Sequence, residues 1–173
     1  MSGRNSVQAP HAAHGLPRLV LDTNVCLDLF VFDDVEVAPL RAALRQGSVV
    51  AVTHADCRDE WLRVLEYPQL GLDAARREAA RLAFDATVQL LAVDLAAPAR
   101  GDDVQDGFTA SSPRLPRCAD PDDQKFLQLA QASGARWLLS RDAALLALAG
   151  RCARDHRFAI LPPQAWSASR LGR

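Results

Sequence analysis

The chain reads as an α/β protein whose parallel sheet is covered on both faces by helices, and three observations predict this class. Short apolar runs rich in β-branched residues alternate with longer helical stretches along the sequence. The runs are continuous in hydrophobicity, as expected of strands buried on both faces. The length, 173 residues, suffices for one domain with a hydrophobic core and is short for two.

Arg18 to Asp22 is the first apolar run, closed by an acid. Asp22 or Asn24 is placed to cap the next helix, and Val25 to Phe32 and Pro39 to Gln46 have helical character, ended by Gly47. Ser48 to Thr53 is a second strand by its valines. Thr53 is the expected cap of a helix reaching Glu66, stopped by Tyr67-Pro68. Leu72 to Leu90 reads as a further helix, and Leu90 to Val93 as the third strand. Asp122 to Ser133 is helical, with Gly134 closing it. Arg136 to Ser140 is the fourth strand, Ala143 to Ala149 a short helix, and Phe158 to Leu161 the fifth strand.

Three segments fall outside this pattern. Residues 1–17 are polar and small, and are expected to be a mobile leader; His11 and His14 within it are not a metal site. Asp94 to Asp120, with five Pro or Gly residues, is expected to be a lid or an insertion. Its Asp102, Asp103 and Asp106 imitate a calcium loop, but Val104 stands where an oxygen ligand is required. Residues 164–173 are expected to be a tail, which leaves 18–163 as the domain.

Composition excludes several functions. The net charge of −1 provides no global basic field, so any nucleic-acid surface must be local. The four cysteines, Cys26, Cys57, Cys118 and Cys152, form no C-x-x-C pair; they predict reduced thiols rather than a zinc site or a disulfide framework. No run approaches a membrane span, and the first residues lack the apolar core of a signal peptide. A cytoplasmic protein without membrane contact is the expectation.

Four acids then stand out at element ends. Asp22 closes the first strand, where side chains face the ligand crevice of such sheets; capping the adjoining turn is the alternative. Glu60 lies within the stripe Cys57, Trp61, Val64 of its helix, so its charge needs a cation, a proton or an arginine. The alternative is an edge position paired with Arg63. Asp123 shares a face with Leu127 and Ala130 and is expected to turn inward, with Asp122 its competitor and Asp120 a cap. Asp142 comes just after the fourth strand, where it either faces the same crevice or caps the next helix. Carboxylates crowded at one sheet edge repel one another unless a cation sits between them. Of the two histidines near these elements, His54 is expected to be a capping or surface residue, and His156 to lie on an arginine-rich surface.

The order Leu-Asp22-Thr-Asn24, helical Glu60, Asp-Pro-Asp-Asp123 before Phe-Leu-x-Leu-Ala, and Leu-Leu-Ser-x-Asp142 resembles the PIN domain family, in particular its toxin components of toxin–antitoxin systems. The resemblance spans about Arg18 to Pro163. It implies a three-layer α/β/α sandwich with a central parallel sheet of about five strands. It also implies that Asp22, Glu60, Asp123 and Asp142 hold Mg²⁺ or Mn²⁺ for endoribonucleolytic hydrolysis, with Asn24 and Ser140 supporting them through hydrogen bonds. An RNA substrate, a cognate antitoxin and a homodimer are the implied partners. Arg141 departs from the glycine common in that branch, and is expected either to neutralise Asp142 or to bind phosphate. Arg58 and Arg63, with Arg76, Arg77 and Arg81, are candidates for a basic rim. Trp61 and Trp137 read as core, which leaves Trp166 as the candidate stacking platform.

Other readings remain: an RNA-processing nuclease without a toxin role, or a non-catalytic RNA-binding module of the same fold. An aspartyl phosphatase would want a second acid two residues after Asp22, where Asn24 stands, and a catalytic lysine; the one lysine, Lys125, lies inside a helix. A nucleotide-binding domain would carry a glycine-rich turn after the first strand, which is absent.

Overall fold

The computed structural model describes residues 15–96 and 114–172. Most of the expected leader, and most of the expected lid with its three aspartates, lie outside the described residues. Five parallel strands form one sheet in the order β3-β2-β1-β4-β5. They are β1 (Arg18–Leu21), β2 (Val50–Thr53), β3 (Val88–Leu90), β4 (Trp137–Leu139) and β5 (Ala159–Leu161). The helices are α1 (Thr23–Phe30), α2 (Ala38–Arg45), α3 (Ala55–Leu65), α4 (Ala74–Thr87), α5 (Gln124–Ala132), α6 (Ala143–Leu146) and α7 (Ala149–Asp155).

Strand alternation divides the interior into two cores. Leu19, Leu21, Ala51, Trp137 and Leu139 point to one face, against α1, α2, α4 and the Trp61 side of α3. Val20, Val52, Leu138 and Ile160 point to the other, against α5, α6 and α7. Continuous apolar strands are therefore required, and the three-layer sandwich is the result.

The order also places the site. From β1 the chain builds outward to β2 and β3 on one side, and later returns to β4 and β5 on the other. The crevice between the carboxyl ends of β1 and β4 is the switch point at which such sheets bind ligands.

Four expectations are corrected. The helix expected to reach Leu90 ends at Thr87, and Val88 turns directly into β3, two residues earlier than expected, because its side chain is needed beneath the sheet beside Ala51. His54, not Thr53, caps α3: its Nδ1 accepts from the Asp56 amide at 3.2 Å, while Thr53 is buried at the end of β2. Helix α7 goes beyond the elements expected from the sequence, since its arginines suggest solvated surface; Cys152, fully buried, anchors it. Of the described residues after Pro163, Trp166 and Leu171 pack against the first core. Trp166 is 2% exposed and meets the Trp137 ring edge-on at 6.0 Å, so it is core and no stacking platform.

All four cysteines are free and buried. Burial pushes the Cys57 thiol up to about 12, which keeps it a protonated apolar filler. No helix among the described residues is long and apolar enough to cross a membrane.

Truncating the buried indole tests the role of the C-terminal residues. Trp166→Ala is expected to lose about 3–5 kcal/mol in urea unfolding, whereas a loose tail would leave the midpoint unchanged.

Candidate metal centre at the carboxyl edge of the sheet

Asp22 directly succeeds β1, and its amide continues the ladder by donating to the Leu139 carbonyl at 3.0 Å. Ser140 directly succeeds β4 and thus lies beside it. The Ser140 hydroxyl donates to Asp22 Oδ2 at 2.5 Å and accepts from the Asp142 amide at 2.8 Å. Asn24 donates to the same Asp22 oxygen at 2.6 Å, and its own carbonyl oxygen accepts from the Arg141 amide at 3.1 Å. The Thr23 amide bonds Asp22 Oδ1 at 2.6 Å. Asn24 and Ser140 thus fasten the first turn of α1 and the end of β4 to one carboxylate. Asp22 is only 4% exposed. Burial pushes its carboxyl above the ordinary range despite three hydrogen bonds that pull it down, and the Glu60 charge adds to the rise.

Asp123 opens α5 without capping it, and among the described residues neither of its oxygens accepts a hydrogen bond. Its carboxyl is pushed up to about 7, first by burial and then by the charges of Asp22, Asp142, Asp120 and Glu60. The charges of Asp22, Asp142 and Glu60 thus all act on Asp123. Asp122 is exposed while Asp123 is half-buried, so Asp123 is the inward member of the pair. Asp120 caps the turn at the Asp122 amide, 2.9 Å.

Asp142 serves as a cap, the plainer of its two expected roles. Oδ1 accepts from the Ala144 and Leu145 amides at 2.7 and 3.1 Å, capping α6, and Oδ2 has no partner among the described residues. Glu60 is occupied at both oxygens. Thr23 donates to Oε1 at 2.5 Å, and the ammonium of Lys125 pairs with Oε2. The cation that a half-buried Glu60 requires is thus a lysine from α5, and not Arg63.

Among the described residues, no group of three His, Cys, Asp or Glu side chains is gathered closely enough to hold an ion. The donor chemistry nonetheless fits Mg²⁺ or Mn²⁺. Every available donor is a hard oxygen, and Mg²⁺ commonly keeps several waters while taking only one or two carboxylates. Asp123 and the free oxygen of Asp142 are such a pair, and the repulsion on Asp123 is what a divalent ion would relieve.

The basic rim is corrected. Arg58 is held in a bidentate pair by Asp85 at 2.8 Å, and Arg81 bonds Glu78 and Asp85. Arg77 turns to Glu66 and the Leu72 carbonyl. Arg63 and Arg76 have no acidic partner among the described residues. Arg141 neither neutralises Asp142 nor stands free for phosphate: its guanidinium binds Asp28 at 2.7 Å, Glu36 at 2.9 Å and Asp34 at 3.4 Å.

Sequence reasoning missed Thr23 and Lys125 as partners of Glu60. The signal for Lys125 was present: it is the single lysine in a chain whose other basic residues are all arginine.

A family model described as PIN domain matches residues 18–144. The solved crystal structure of VapBC2 from Rickettsia felis bound to a DNA fragment from their promoter superposes with a TM-score of 0.50 at 10% identity, over 84% of this chain and 98% of that one. No curated protein matches.

The metal-free protein offers two tests of this geometry. Ser140→Ala strips a donor from a buried carboxylate and is expected to lower stability by about 1–3 kcal/mol in urea unfolding. Asp123 has a folded pKa of about 7 against an ordinary 3.8. Its contribution to stability is therefore full below ~pH 4 and lost as pH rises through about 7. Asp123→Asn is expected to flatten that decline in melts across this window; an unchanged pH profile would contradict the assignment.

Proposed function

The chain belongs to the PIN domain family, and we propose that it is an Mg²⁺- or Mn²⁺-dependent endoribonuclease that acts as the toxin of a toxin–antitoxin pair. The observation that carries the reading is Asp123, a half-buried carboxylate without a hydrogen bond among the described residues, faced by four other acids at the switch point of the sheet. A carboxyl placed there for capping or packing would have been given a donor, as Asp22 was.

When bound, the ion supplies an acidified water and Lewis-acid relief of charge on the phosphoryl oxygens. Asp123 and Asp142, each with an oxygen outside hydrogen bonds among the described residues, would hold the ion. Asp22, fixed by Ser140 and Asn24, closes the floor of the site and presents negative charge from below. Glu60 lies at the rim of the site, paired with Lys125. The RNA backbone is met by arginines outside ion pairs, Arg63 and Arg76 among the described residues, so its approach is weakened by salt. A soluble cytoplasmic homodimer inhibited by a partner protein completes the reading.

Asp22→Asn and Asp123→Asn are each expected to lower Mn²⁺-dependent cleavage of single-stranded RNA by more than ~100-fold, and Asn24→Ala by ~10–100-fold. Circular dichroism should show all three folded. Undiminished cleavage by the two aspartate variants, or in excess EDTA, would refute the mechanism and favour a non-catalytic RNA-binding module. Growth arrest on expression, relieved by a co-expressed partner protein, tests the toxin role. Cleavage without arrest would favour RNA processing.

A further inference from the structure

Lys125 pairs with one member of the acidic quartet, yet the metal-dependent reading leaves it without a task. Its ammonium pairs with Glu60 Oε2 and donates to the Asp122 carbonyl at 2.6 Å. The lysine side chain is 17% exposed and that of Glu60 20%, so the pair is largely withdrawn from water. The ammonium also lies 5.3 Å from the centroid of the Phe126 ring. Thr23 takes the other Glu60 oxygen. Glu60 is thereby fully engaged before any ion arrives, and Asp122, bonded to the same ammonium, is the residue next to Asp123.

We propose that Lys125 is a positioning residue, a built-in cation that fixes Glu60 and the Asp122–Asp123 turn and takes the place of a second divalent ion. One ion then binds per chain, on the side of Asp22, Asp123 and Asp142. The inference rests on the metal-dependent reading above. Its physical basis is charge balance. Asp22, Glu60, Asp123 and Asp142 together carry four negative charges when ionised. An ammonium at Glu60 meets one of them and repels a divalent ion from the same oxygens. Without it, Glu60 would become an unpaired and partly buried carboxylate, a ready ligand for a second ion.

The test is the number of Mn²⁺ ions bound by the full chain, read by equilibrium dialysis and by loss of the free-ion electron paramagnetic resonance signal. Wild type and Lys125→Arg, which keeps the charge, are expected to bind about one ion, and Lys125→Met about two. The double variant Glu60→Gln with Lys125→Met removes both charges and should return to the wild-type number. If Lys125→Met does not melt cooperatively, Lys125→Gln, which retains a donor for the Asp122 carbonyl, carries the same expectation. Lys125→Met or Lys125→Gln, with Glu60 intact, binding the same number of ions as wild type overturns the proposal. Two ions on wild type also overturns it and leaves the nuclease reading standing. No ion on wild type overturns the metal reading itself, and this inference with it.

Discussion

The hydrogen bond from Ser140 to Asp22 joins residues 118 positions apart, and it ties the end of the central strand to the end of its later neighbour. A carboxylate buried at that junction must be held by several donors or be neutralised. Ser140, Asn24 and the Thr23 amide provide those donors: Thr23 and Asn24 open α1 directly after β1, and Ser140 follows β4, beside β1 in the sheet. Leu21 pairs with Leu139 in that register, which brings Asp22 alongside Ser140. A one-residue slip would turn the apolar strand residues to the wrong core and separate the two side chains.

Around that fixed charge, the remaining acids are compensated to different degrees. Glu60 is satisfied by a lysine and a threonine from two other helices. Asp142 gives one oxygen to the start of α6 and keeps the other. Asp123 receives no donor among the described residues, and burial and then the neighbouring acids raise its proton affinity. The gradient runs from fully bonded carboxylates to one without a donor among the described residues. The arginines near the cleft obey the same logic in reverse. Arg58 and Arg141, which a local reading would offer to phosphate, are held by Asp85 and by Asp28, Asp34 and Glu36. These pairs hold both guanidinium groups within the protein's own acids.

Much of this was legible in the sequence because periodicity and burial are coupled. Continuous runs such as Leu19 to Leu21 and Trp137 to Leu139 can only be strands covered on both faces, and both are. The inward turn of Asp123 is encoded in its spacing to Leu127 and Ala130, both of which are buried. The partners of Glu60 and Arg141 were not legible. Lys125 and Thr23 approach Glu60 from 65 and 37 residues away in sequence, and no local spacing encodes which of many charges meets it. The exchange of Thr53 for His54 as the cap of α3, and the early end of α4 at Thr87, show the same limit at the scale of one or two residues. There, burial of Thr53 and Val88 against the sheet overrides local helix signals.

Asp123 and its neighbours must meet at a single ion if the cleft is to hydrolyse RNA. A crystal of the wild-type protein grown at neutral pH and soaked in Mn²⁺ would settle this through its anomalous difference density. The expected result is a peak at ~2.0–2.2 Å from carboxylate oxygens of Asp123 and of Asp142 or Asp22. Density found only on surface acids away from the ends of β1 and β4, or none at saturating Mn²⁺, would contradict it.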